Sequence, residues 1–130
     1  MCRQGLASFS PIVLRDISNM DLAARVAAEI NSRRPDAAFI DSGRGEGVID
    51  RLRQLGFDVI EVNFGGKPIS VKYANKRAEM WDFTAQWLRG GGCLPNHPEL
   101  KTDLCAPTYS FNSAGKMVLE SCAFQDHELS

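Results

Sequence analysis

Residues 37–52, Ala-Ala-Phe-Ile-Asp-Ser-Gly-Arg-Gly-Glu-Gly-Val-Ile-Asp-Arg-Leu, constrain the fold more than any other part of the chain. They read as a buried strand closing on a carboxylate, a glycine-rich turn and a helix. That order belongs to open α/β sheets, in which ligands sit beyond the carboxyl ends of the strands. Asp41 would look into that crevice. Gly43, Gly45 and Gly47 permit positive φ and close approach, so that a ligand could lie against bare main chain. The same residues equally suit a short strand-to-helix connection with an N-cap. Both readings stand at this point.

The flanks support an α/β class. From Asn19 the apolar residues Leu22, Val26 and Ile30 recur at helical spacing, with Ala23 and Ala27 widening the face, and Ser18 or Asn19 suits the cap. Pro35-Asp36 ends this helix, and the strand from Ala37 to Asp41, apolar on both faces, is expected to lie inside a covered sheet. Val48, Ile49, Leu52 and Leu55 form a second short helix stopped by Gly56. Phe57 to Phe64 is β-branched and aromatic, and reads as a strand parallel to the first. Ile12 to Arg15 reads as a further short strand. Asn75 to Gly90 has the length of the longest helix, with Met80, Phe83, Trp87 and Leu88 as its inner stripe. A short helix follows over Pro98 to Cys105, with Leu100 and Leu104 inward. Thr108 to Phe111 and Met117 to Leu119 then make a hairpin with a four- or five-residue turn.

Composition excludes some classes. The chain has 130 residues, net charge −1 and a pI near 6.1, so it is one domain's worth of protein with no global basic field. No apolar run approaches the roughly 20 residues of a membrane span, and the compartment reads as cytoplasmic. Cys2, Cys93, Cys105 and Cys122 form no C-x-x-C pair, which fits reduced structural thiols. One local charge feature stands out: Lys76 and Arg77 occupy a helix first turn, where the macrodipole favours acids. They suit an anionic partner, or simply a solvated turn paired with Glu79.

Several stretches, in order, resemble the C-terminal nuclease domain of the large terminase subunit of tailed bacteriophages. They are the helix Met20 to Ile30, the segment Phe39-Ile40-Asp41-Ser42-Gly43 with Gly45-x-Gly47-Val48-Ile49-Asp50-x-Leu52, and the run Tyr73-Ala74-Asn75-Lys76-Arg77-Ala78-Glu79-Met80-Trp81. Leu100, Leu104, Tyr109 and the stretch Lys116 to Ser121 complete them. The resemblance extends from about Ile12 to Ser121. It implies a ribonuclease H-like mixed sheet flanked by helices, and a metal-dependent endonuclease that cuts double-stranded concatemeric DNA during genome packaging in the bacterial host. The implied partners include the portal and the small terminase subunit. On this resemblance Asp41 is a catalytic, metal-binding carboxylate for Mg²⁺ or Mn²⁺, and Lys76, Arg77 and Arg44 are candidates for DNA phosphate contact. Two hard cations about 4 Å apart would clamp the attacking and leaving oxygens, a task for several converging carboxylates.

The chain also departs from the family pattern. Family members open with a strand bearing another essential aspartate, whereas Met1-Cys2-Arg3-Gln4-Gly5 resembles the hairpin that follows it. They close on a serine-proline-aspartate stretch, where this chain reads Cys122 to Ser130. Residues 1–121 are therefore expected to form a partial nuclease domain lacking the first strand and the C-terminal end, with 122–130 a divergent tail, and the chain is expected to be inactive as it stands. Two alternatives remain: a catalytically dead DNA- or protein-binding module, and a nucleotide-binding α/β domain using 43–47 as a phosphate cradle.

Overall fold

Ser18 fixes the start of the first helix: its hydroxyl accepts the Asp21 N–H at 3.1 Å, and α1 runs Asn19–Arg33. Arg34, in the left-handed region at φ 45°, closes it by donating its N–H to the Ile30 carbonyl at 2.8 Å. The computed structural model describes residues 1–120, so the tail expected over 122–130, with Cys122, lies outside the described residues. The architecture is mixed α/β, and the chain divides into two compact units, Val13–Gly66 and the remainder.

The unit Val13–Gly66 is a helix followed by a strand-helix-strand element. β3 (Phe39–Asp41) pairs in parallel with β4 (Ile60–Val62), Phe39 opposite Ile60 and Asp41 opposite Val62, and α2 (Ser42–Gln54) connects them. Ala23 and Ala27 of α1 meet Val48, Ile49 and Leu52 of α2 and Val59 to form the core, with Ala38, Ile40 and Phe57 packed at its margin. Small residues on α1 let the helices approach closely. A Cβ at Gly47 would lie 2.8 Å from the Asn19 amide nitrogen, and one at Gly45 would lie 3.0 Å from the Ile40 side chain.

Three expectations for this unit need correction. The strand expected over 37–41 keeps three residues and among the described residues has β4 as its one neighbour, so it is not internal to a sheet there. Its outward side chain Phe39 is 66% exposed, because α1 and α2 cover only the opposite face. The strand expected over 57–64 shortens to 60–62, since Phe57 is drawn into the close of α2 by donating its N–H to the Leu52 carbonyl. Ile12 to Arg15 is not a strand: Ile12, Val13 and Leu14 are exposed and pair with no other segment among the described residues.

The other unit is built from two small sheets and two helices. β1 (Arg3–Gln4) and β2 (Ala7–Ser8) form a tight antiparallel hairpin turned at Gly5, and Cys93 bridges to Ala7 alongside them. β5 (Tyr109–Phe111) and β6 (Met117–Leu119) form the expected hairpin with a five-residue turn, and Tyr73 bridges to Met117 on the far side of β6. α3 (Lys76–Arg89) packs on β6, and α4 (Pro98–Cys105) follows with His97 as its cap. The side chains buried on α3 are Ala78 and Glu79, not the expected Met80, Phe83, Trp87 and Leu88 stripe. Phe83 stays half exposed, because its ring meets Tyr73 edge-on, at 5.8 Å, rather than entering a core. Leu100 and Leu104 of α4 are half-buried, and α4 has no fully buried residue. Among the described residues the six strands thus form three two-stranded sheets instead of one mixed sheet; at two or three residues each, they are too short for wide ladders.

Candidate functional site

Asp41 ends β3, where a functional acid was expected, but its carboxylate has a local task. It is the N-cap of α2 and accepts the Gly43 N–H at 3.1 Å, while the Ser42 hydroxyl donates to the Val62 carbonyl at 3.3 Å. These two bonds tie the strand ends to the first helical turn. The expected glycine-rich turn is absent: Gly43, Gly45 and Gly47 all lie within α2, and none has positive φ. A cap at position 41 starts the helix at once, so the glycines serve close packing on Ile40 and Asn19 rather than a ligand loop. The phosphate cradle proposed for 43–47 loses its loop, and the Asp41 carboxylate already holds the amide a phosphate would need.

Gly43 provides a direct check. Its φ suits any residue, and a Cβ there would meet the Asp41 carboxylate at an ordinary 3.4 Å. Gly43→Ala is therefore expected to raise stability by about 0.5 kcal/mol, through lower unfolded-state entropy and better helix propensity. Thermal melting would show a small upward shift. A clear downward shift would mean that the position needs glycine for some other reason.

The carboxylate set does not fit a pair of hard cations. Each such ion takes about six oxygen ligands, so two of them need several carboxylates converging from different strands. Among the described residues no three His, Cys, Asp or Glu side chains come together in a way that could hold a metal ion. Asp41 is exposed and engaged by its own helix. Arg44, one turn along α2, is also exposed. Cys2, Cys93 and Cys105 are free thiols.

Lys76 and Arg77 lie in the other unit, in the first turn of α3, which Asn75 caps by accepting the Ala78 N–H at 2.9 Å. The Lys76 ammonium sits 2.6 Å from Glu79, one turn on, and the Arg77 guanidinium stacks over Trp81 at 5.8 Å. Lys76 thus adopts the local pairing that was one of its two readings.

Sequence reasoning missed the centre of this cluster. Glu79 is 1% exposed, and its carboxylate accepts the Ile69 N–H at 3.0 Å and the Ser70 N–H at 2.9 Å, besides binding Lys76. The Lys76 bond, helped by the two backbone N–H groups, overcomes burial and holds its pKa down to about 2. Beside it, buried Tyr73 donates its hydroxyl to Asp82, which pushes the tyrosine up to about 12 and holds Asp82 below the usual carboxylate range. The faint sequence signal is Asn75-x-x-x-Glu79 preceded by a β-branched run with no helical period. A pocket of about 330 Å³ lies elsewhere in this unit, lined by residues 94–98, Leu100 and Lys101, and no carboxylate is among its lining residues.

Comparisons with protein-family models, with curated proteins and with solved structures each find no match to this chain. Among the described residues no helix is long and apolar enough to cross a membrane.

Proposed function

We propose that this chain derives from the ribonuclease H-like nuclease domain of a tailed-phage terminase large subunit, that it contacts double-stranded DNA, and that it does not cut DNA by itself. The resemblance in residues 37–52 and 73–81 supports the ancestry. The observation that carries the functional part is the state of Asp41: an exposed carboxylate, held by the N–H of Gly43, that belongs to no group of three metal-binding side chains among the described residues. Such a site lacks the oxygen ligands that two Mg²⁺ or Mn²⁺ ions need, so no cleavage step is assigned to it. Arg77, in the first turn of α3 on a helix whose amide end favours anions, supports contact with DNA phosphates, while Lys76 beside it is already paired with Glu79. Portal or small-subunit contacts would follow from the same ancestry.

The test is incubation of the folded chain with supercoiled plasmid, with and without Mn²⁺, beside Asp41→Asn. The expected result is no metal-dependent nicking by either protein. Nicking by the wild-type chain that disappears in Asp41→Asn would overturn this reading and show that other residues complete a metal site.

A further inference from the structure

The loop Lys67 to Lys72 is anchored by hydrogen bonds and yet displays apolar side chains. Glu79 pins the amides of Ile69 and Ser70 from below, and the Ser70 hydroxyl accepts the Lys72 N–H at 3.3 Å. Above this anchor Ile69 is 87% exposed and Val71 83% exposed, the two highest values among the large apolar residues described. Both are β-branched, so their side chains are stiff as well as exposed. An anchored loop that turns two such residues outward gains nothing from them in the folded chain, because their apolar surface stays in water.

The surroundings of the loop are cationic. Lys67 and Lys72 bracket it, Lys76 and Arg77 follow in the first turn of α3, and Met117, next to Lys116, exchanges backbone bonds with Lys72 and Ala74. The acids of this region point inward: Glu79 is buried and bound to Lys76, and the Asp82 side chain, 15% exposed, accepts the Tyr73 hydroxyl and lies 3.8 Å from the Lys72 ammonium, whose own side chain stays 60% exposed. The described residues of this unit carry eight lysines and arginines against five acids, whereas Val13–Gly66 carries seven against nine. Cations on the rim, stiff apolar side chains at the tip and acids withdrawn underneath complement a polyanion with an apolar interior. Duplex DNA has that chemistry at its minor groove, where apolar wedges enter base steps while lysines and arginines hold the phosphates.

We propose that the Lys67 to Lys72 loop is a DNA wedge, with Ile69 and Val71 pressed into the minor groove and Lys67, Lys72 and Lys116 on the flanking phosphates. This inference rests on the DNA-contact reading above. It is tested by anisotropy titration of a labelled duplex of about 30 base pairs between about 50 and 200 mM salt, with end-to-end energy transfer to follow bending. Ile69→Ser/Val71→Ser should bind roughly tenfold more weakly, lose the induced bend and keep the salt slope. Lys67→Ala/Lys72→Ala/Lys116→Ala should lower the salt slope by about 0.9 per lysine removed. Ile69→Ser/Val71→Ser should melt like the wild type, since the loop's anchoring groups are untouched. The lysine variant should melt within about 2 °C of it, since the one ion pair it removes among the described residues, Lys72 with Asp82, is exposed on the lysine side. Wild-type binding that neither variant alters would overturn the wedge while leaving DNA contact standing. Absence of wild-type binding would overturn both. Loop-dependent binding to vesicles containing phosphatidylserine, without binding to duplex, would assign the loop to a membrane surface instead.

Discussion

Glu79→Ala is expected to lower the melting temperature by on the order of 10 °C, because it strips the acceptor from three donors at once. The Ile69 and Ser70 N–H groups and the Lys76 ammonium all converge on this one carboxylate, which is 1% exposed. Without it, Lys76 loses its partner and the 67–72 loop loses its anchor. Glu79→Gln should fall between wild type and alanine, since an amide oxygen still accepts from the loop but its NH₂ group opposes the ammonium. The same contacts set a pH dependence. A carboxyl held at about 2 in the folded state, below its unfolded value, favours the fold fully above about pH 5, and that contribution is lost as pH falls toward 2. Tyr73 acts at the other end. Its hydroxyl, pushed up to about 12 by the bond to Asp82 and by burial, favours the fold below about pH 10, and this contribution is lost as pH rises toward 12. Trp81 and Trp87 both lie on α3, so tryptophan emission followed against temperature and pH reads this unit directly. A Glu79→Ala protein melting within about 2 °C of wild type would show that solvent replaces the anchor at little cost.

The difference between Glu79 and Asp41 explains what the sequence alone could and could not reveal. Local rules were legible. Ser18, one of the two expected caps, starts α1, Gly56 sits at positive φ just past the end of α2 where a stop was expected, and the two short β-type runs on either side of Asn112 to Lys116 mark the β5-β6 hairpin. The parallel pairing of β3 with β4 was also legible, because a strand, a helix and a strand within this length leave few other arrangements. The glycines misled because they remove the apolar period from the first turn of α2. The pattern becomes visible only at Val48, although the Asp41 cap starts the helix at Ser42. Glu79 misled for the opposite reason. An acid three residues after a lysine looks like a surface ion pair, and the two amides that bury it come from a loop ten and nine residues away, with no signature of its own. Long-range hydrogen bonds to main chain leave no mark on side-chain periodicity. The site reading suffered in the same way: Asp41 was correctly placed at a strand end, but whether other acids converge on it is a tertiary property that spacing does not encode.

Leu52→Ala is expected to cost about 2–5 kcal/mol, the range for a leucine truncated at a fully buried position. Leu52 has no exposed surface, and its neighbours Ala23, Ala27, Val48, Ile49 and Val59 are the rest of a small core. The site has little capacity to collapse around a cavity. Both alanines belong to a helix already in close contact, and Gly47 leaves Asn19 against the α2 backbone, so α1 has little room to move inward. The neighbouring strands β3 and β4 have three residues each and pair only with one another among the described residues. The expected readout is a large fall in the temperature at which the far-ultraviolet helical signal is lost, since α1 and α2 contribute much of that signal. Leu55→Ala is the control: Leu55 lies just past the end of α2 and is about half exposed, so its truncation should shift the same transition far less. Equal shifts from the two variants would contradict the core described for Val13–Gly66 and would place the stabilising contacts of Leu55 outside it.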